Sequence, residues 1–417
     1  MSTMSTTLGL GPAADQVADR TPVTAETSVS PLSRPSARLL TVWLIVLVSC
    51  VAWRRGVYYS GGLDVVVLAK AVLGVLALVL AVTAPRTGPS WAQLRAGPIP
   101  WLGVYLAVST VGALLQGTGF ATLVLAARIV LITVTVVVLV RAYPWPELLS
   151  ALTTAMLVLA GVGTLTGLGS LASSGRLYGG IPPLNANEIS LLVGVPLVCL
   201  GWRCVNRGAR WWEVAAVPPL LGVVWLTGTR TGLAALLLAF ALLIVMTRRI
   251  PPALVVAGVL CLPVLLFVAF LTPVLSSYAT RGDAAATLTL NSRTVAWEAA
   301  VRYADTGTAQ LFGSGLAVKE VPVSALYRNE QILDSTWVSA IVQAGVLGTA
   351  VLAVMVVVTL ARALMLDAPL RSLVFAVLTL LVVRSVLESG LFDASPAYVP
   401  FLCFALAVAP LPDQEPS

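Results

Sequence analysis

The chain contains no histidine in 417 residues. That removes every mechanism needing imidazole as base, proton shuttle or metal ligand, and makes zinc and haem chemistry poor explanations of what the protein does. Charge is scarce too: only 10% of residues are charged, whereas an ordinary soluble domain carries about 25%. The five cysteines, Cys50, Cys199, Cys204, Cys261 and Cys403, lie in or beside apolar runs and form no CxxC pair, so they read as small buried hydrophobes. Lysine is nearly missing, with Lys70 and Lys319 standing against 23 arginines. The net charge of +7 is spread over many short loops instead of forming one basic stripe, which argues against a nucleic-acid partner.

What is abundant is apolar sequence, 58% of the chain, with a mean hydropathy of +0.96. The runs are too long and too uniform for barrel strands, which show about ten residues of alternating polarity. They define an integral membrane protein of the all-α class. Spans are expected near 39–53, 63–84, 99–115, 120–140, 149–171, 189–202, 213–227, 232–247, 252–274, 336–361, 370–387 and 396–411, about twelve in all. Residues 1–38, rich in Ser, Thr, Pro and Ala, read as a disordered cytoplasmic tail, and 412–417 as a second short tail. The first span is followed by Trp53-Arg54-Arg55 instead of a small-residue cleavage site, so it reads as a retained helix.

Loop charge sets the expected orientation. With the amino-terminal tail in the cytoplasm, inner short loops hold Arg86, Arg95, Arg141, Arg203, Arg207, Arg210, Arg248, Arg249, Arg362 and Arg371, and outer ones hold Arg54, Arg55, Arg176 and Arg230. The excess lies inside, as the positive-inside rule requires, and both termini are then cytoplasmic. The chain divides into spans 1–9 over 39–274, a long outward loop over 275–335, and spans 10–12 over 336–411. In the loop, Asn291 and Ser292 are good caps for a short surface helix running to Tyr303, and Leu311-Phe312-Gly313-Ser314-Gly315 reads as a turn. Asp334 is expected at the amino-terminal end of the next span, where it can cap free N–H groups.

Ions at membrane depth cost several kcal/mol unless they face protein or water. Lys70, Arg128 and Arg384 all fall in the outer half of their spans, against the positive-inside bias, with Arg176, Arg230 and Arg293 in outer turns and loops. Something anionic is expected there. Lys70 and Arg128 can alternatively snorkel or pair with a carboxylate such as Asp64. In Thr227-Gly228-Thr229-Arg230-Thr231-Gly232, two glycines admit close backbone approach, and an arginine held there can clamp a phosphate oxygen in bidentate fashion.

Four features resemble the O-antigen ligase and O-antigen polymerase family of membrane glycosyltransferases. They are the Pro183-Leu184-Asn185-Ala186-Asn187-Glu188 entry to a span, the Leu226-to-Gly232 turn, the loop with Arg293 four residues before Trp297 and the Phe312-Gly313-Ser314-Gly315 turn, and Asp334-Ser335-Thr336-Trp337 leading to Gln343-Ala344-Gly345-Val346-Leu347-Gly348. The resemblance covers roughly 120–400 and implies a GT-C-like fold. It also implies transfer, on the outer face of a bacterial cell membrane, of a glycan from an undecaprenyl-pyrophosphate carrier to a glycan or other acceptor. No cofactor or metal is called for. Membrane lipid and other polysaccharide-assembly proteins are the remaining partners implied.

By the same resemblance Arg230 and Arg293 match the family's pyrophosphate-contacting arginines. Ligases typically carry His-Asn where this chain has Asp334-Ser335, so a polymerase is favoured, with Asp334 available as the base. Lys70, Arg128, Arg176, Asn187, Glu188, Trp297, Arg384 and Glu388 complete the candidate substrate-binding set, and Glu188, Glu388 and Asp393 compete with Asp334 as bases. Lys70, Arg128, Arg230, Arg293, Asp334 and Arg384 are expected to border one outward-open cavity. A lipid-linked-saccharide flippase without chemistry is the alternative, disfavoured by the single long loop and the lack of internal repeats.

Overall fold

The computed structural model describes residues 36–54, 64–85, 97–206, 209–247, 297–304, 306–322 and 330–408. Outside them lie most of the amino-terminal tail, the expected span at 252–274, the first part of the expected outward loop including Arg293, and the segment 412–417. Where described, the chain is mostly helical. In order come α1 (Ala37–Cys50), α2 (Val65–Val82), α3 (Ile99–Leu115), α4 (Gly119–Ala142), α5 (Trp145–Gly167), the short α6 (Gly169–Ser174), α7 (Ala186–Asn206), α8 (Trp211–Leu226) and α9 (Arg230–Thr247). After a helical segment at 297–303 follow α10 (Gly307–Phe312), strands β1 (Glu320–Pro322) and β2 (Glu330–Ile332), then α11 (Thr336–Leu364), α12 (Ala368–Leu387) and α13 (Tyr398–Ala407).

Seven of these helices, α2, α4, α5, α7, α9, α11 and α12, are long and apolar enough to cross a membrane, and α1, α3, α8 and α13 are shorter apolar helices. Together they coincide with eleven of the expected positions, seven of them as helices of span length. Val65, Val72, Leu237, Val245 and Val357 sit largely uncovered on helix faces while Trp43, Leu148, Met156 and Phe404 are buried between helices. Apolar side chains facing both inward and outward are what a lipid-surrounded bundle requires. The chain is a polytopic integral membrane protein.

Three expectations need correction. The loop expected over 275–335 with short helices also carries a short strand pair, β1 and β2 running antiparallel with Val321 opposite Gln331; three-residue strands are too short to show alternation. The expected span at 149–171 is α5, which starts earlier because Pro146 occupies a position suited to a first helical turn, followed by the separate α6. The span at 336–361 is broken inside α11 at Gly345, whose φ of 63° and ψ of −167° are not helical.

That break organises the bundle. It leaves the carbonyls of Val342 and Gln343 without their helical donors, and the turn after α10 supplies replacements. Ser314 N–H donates to Val342 O at 2.8 Å and Gly315 N–H to Gln343 O at 3.0 Å, while the Ser109 hydroxyl of α3 also donates to Gln343 O at 2.7 Å. Thr118 holds the turn from the other side through Ser314 O at 2.6 Å. Gly112, Gly313 and Gly345 make the approach possible: a Cβ on any of them would lie within 2.4 Å of another segment's backbone. Non-helical backbone at membrane depth is tolerated where neighbouring protein satisfies its polar groups, as here. The Phe312-Gly313-Ser314-Gly315 turn is therefore a plug inside the bundle.

Candidate functional site

Hydrogen bonds between helix ends define one charged end of the bundle. Helix α1 terminates at Cys50 and leaves carbonyls that need donors. Arg128 Nη2 of α4 donates to Ser49 O, and Lys70 Nζ of α2 donates to Val51 O at 2.7 Å while lying 5.8 Å from the Trp53 ring. Cations suit the negative end of a helix dipole, so both side chains have a local task in the protein itself. Neither pairs with Asp64, which caps α2 through Val66 N–H and bridges Arg54 at 2.7 Å.

A second group joins α7 to α12. Asn185 and Glu188 form a reciprocal cap at the start of α7: Asn187 N–H donates to Asn185 Oδ1 at 2.7 Å, and Asn185 N–H to Glu188 Oε2 at 2.9 Å. The Asn187 side chain donates to Glu388 Oε2 at 2.5 Å, and Arg384 Nη2 to Asn187 O at 2.9 Å. Arg384 is 6% exposed, and Glu188 and Glu388 are the carboxylates in its electrostatic neighbourhood. Removing Arg384 takes a donor from the Asn187 carbonyl and a cation from the neighbourhood of Glu188 and Glu388. Arg384→Met is therefore expected to lower stability by about 1–3 kcal/mol, read as a drop in the thermal unfolding midpoint of the detergent-solubilised protein, with Arg384→Lys recovering part of it.

Arg230 opens α9 directly after the turn at Thr227–Thr229. Gly228, at φ 61°, sets that turn, the Thr227 and Thr229 hydroxyls meet at 3.0 Å, and Arg176 Nε donates to Thr227 O at 3.0 Å with its guanidinium 5.5 Å from the Tyr178 ring. Helix α9 packs against α7 and α12, and a Cβ on Gly232 would lie 2.3 Å from Ser190 Oγ, one turn along α7 from Asn187. Arg230 therefore lies at the same end of the bundle as Asn187, Glu188, Arg384 and Glu388.

Asp334 is not the cap expected of it. Ser335 is the N-cap of α11, its hydroxyl accepting from Val338 N–H at 3.5 Å, and Asp334 sits one residue outside, half-buried. Thr336 ties this start to the end of α12, donating N–H and hydroxyl to Glu388 O at 3.2 and 2.8 Å. Trp297 begins the helical segment at 297–303, partly buried.

Beside Asp334 lies a cavity of about 110 Å³, walled by Tyr105 of α3, Lys319, Thr336 and Ser339 of α11, and Phe392 and Asp393 of the α12–α13 connection. Of the six residues expected to share one cavity, Arg293 lies outside the described residues, and none of the other five lines this one. Lys70, Arg128 and Arg384 instead each direct a donor to a backbone carbonyl at a helix end. Lys319, singled out in the sequence only by the rarity of lysine, bridges Asp393 across the cavity. Burial opposes ionisation of Asp393, but Lys319, the Ala394 N–H and Arg128 outweigh it and hold the carboxyl below the usual carboxylate range. A carboxyl so depressed stabilises the fold fully above its unfolded value, about 3.9, and loses that contribution as pH falls through the lower folded value. The difference in unfolding midpoint between wild type and Asp393→Asn is thus expected to be constant from about pH 5 to 8, to shrink as pH falls below about 4, and to be lost only below the depressed folded value.

Fold and site define a polytopic helical membrane protein with an ionic layer at one end and a broken helix beneath it. Residues 214–353 match the family model for O-antigen ligase, which supports the O-antigen ligase/polymerase family. The matched stretch runs from the first turn of α8 past the break at Gly345 and includes Arg230, Arg293 and Asp334. The match points to a ligase- or polymerase-like glycosyltransferase activity in polysaccharide biosynthesis. No curated protein matches the chain.

Proposed function

We propose that the chain transfers a glycan from an undecaprenyl-pyrophosphate carrier to an acceptor glycan, as a polymerase, at the extracytoplasmic face of a bacterial cell membrane. The observation that carries this reading is the family match over 214–353, because it spans both candidate arginines and Asp334. In the transfer, the bond between the anomeric carbon and the diphosphate oxygen breaks and a bond to the acceptor hydroxyl oxygen forms. The diphosphate leaves as an anion held by Arg230 and Arg293, whose planar forks match phosphate oxygens. Asp334 takes the hydroxyl proton. Lys70, Arg128 and Arg384 contribute fixed positive charge around the carrier's headgroup, and Arg176 holds the turn that presents Arg230. Asp334-Ser335, in a chain with no histidine, supports polymerase over ligase.

The test is incubation of the purified chain with lipid-linked oligosaccharide in detergent. Longer carrier-linked glycans are expected. A glycan conjugated to a different lipid acceptor identifies a ligase, and intact donor under all conditions rejects the enzyme reading.

A further inference from the structure

The cavity beside Asp334 has a composition of its own. Its charged groups, Lys319 and Asp393, cancel, so it offers hydrogen bonding without net charge. Asp393 Oδ1 accepts from Ala394 N–H at 2.8 Å and Oδ2 from Lys319, which leaves each carboxylate oxygen acceptor capacity. Lys319 keeps donors beyond the one it gives to Asp393. One wall is the fixed ring of Phe392, held edge-on by Trp337 at 6.0 Å and Phe401 at 5.4 Å. The floor is polar, with Thr336 and Ser339 on α11, and the rim at Ser389 is exposed. The connection bearing Asp393 is fixed by Gly390, at φ 106°, whose carbonyl accepts from the Ser395 hydroxyl at 2.5 Å.

An ammonium, a carboxylate with free lone pairs and an aromatic wall together match a neutral pyranose, whose adjacent hydroxyls both donate and accept. The space, about 110 Å³, is that of roughly four waters, less than a whole pyranose displaces, so it takes one face of a single terminal sugar and leaves the rest at the open rim. Leu333 and Thr336 of its lining bracket the Asp334-Ser335 step, so a sugar seated here lies against the stretch of chain that carries the candidate base. We propose that the Lys319–Asp393 cavity is the subsite for the terminal neutral monosaccharide of the acceptor glycan. This inference rests on the glycan-transfer reading and adds the acceptor's end group to it.

Two readouts on the full-length chain in detergent test it. In turnover, Asp393→Asn and Lys319→Met are expected to raise the acceptor KM by about tenfold to a hundredfold, the loss of one or two charge-assisted hydrogen bonds, with the donor KM within about twofold. Ser339→Val, which fills the space without touching the ion pair, is expected to do the same. Equal changes in both KM values, or none, overturn the proposal. Independently of turnover, saturation-transfer NMR with the methyl glycosides of glucose, galactose, mannose and rhamnose is expected to show at least one bound by wild type and lost in all three variants. No binding by wild type, or equal binding by the variants, overturns the subsite. If wild type transfers no glycan yet binds a methyl glycoside in this way, the glycan-transfer reading fails and the sugar site stands.

Discussion

Arg230→Ala is expected to lower glycan transfer by about 10²- to 10³-fold, the usual cost of deleting one donor that stabilises developing negative charge. The protein should still insert and purify normally, because Arg230 is the first residue of α9 and the helix is held by apolar packing of residues such as Ala235, Leu236 and Ala239 against its neighbours. Arg230→Lys keeps the charge but not the planar two-donor fork, and is expected to recover little. Arg293→Ala is expected to behave like Arg230→Ala. The check is the ladder of chain lengths made from lipid-linked oligosaccharide, alongside elution profile and unfolding midpoint. Normal ladders in both alanine variants would remove the arginine clamp.

The second large effect falls on the fold. Gly345→Val places a β-branched side chain at φ 63° and within 2.4 Å of the Leu311 carbonyl group. Adding the strain of left-handed backbone to the cost of overpacking gives about 2–6 kcal/mol. It also pushes the α10 turn off the break, leaving Val342 O and Gln343 O without the donors at 2.8 and 3.0 Å that now satisfy them. Loss of the monodisperse, folded fraction after extraction is expected. Gly103→Ala is the matched control, since a Cβ there meets nothing within 4 Å, and it should be neutral or slightly stabilising. Equal behaviour of the two variants would mean that the plug contributes nothing to folding.

Much of the helical frame is legible in the sequence because span-length apolar runs admit few other structures. The run read at 99–115 is the helix Ile99–Leu115, and the one at 120–140 is Gly119–Ala142. The break at Gly345 is not legible. A glycine within an apolar run costs a helix about 1 kcal/mol and ordinarily leaves it intact, and what opens it here is the turn at Gly313–Gly315, supplied from an earlier stretch of chain. Lys70 and Arg128 announce themselves as cations at membrane depth. Their partners do not, because the free carbonyls at the end of α1 have no side-chain signature.

The site divides in the same way. Asn185 and Glu188 spell a capping box that is readable from their spacing alone, whereas Asp334 and Ser335 are adjacent candidates for one cap and only the backbone decides between them. Lys319 and Asp393 meet across 74 residues of sequence, and nothing in either neighbourhood names the other.

The claim everything depends on is that a lipid diphosphate gives up its glycan to a new acceptor at this protein. Phosphorus NMR of the purified chain with lipid-linked oligosaccharide follows it directly. One undecaprenyl pyrophosphate released for each glycosidic bond formed is the predicted result. Carrier that stays glycosylated, whether left in place or moved across a reconstituted bilayer, would contradict it.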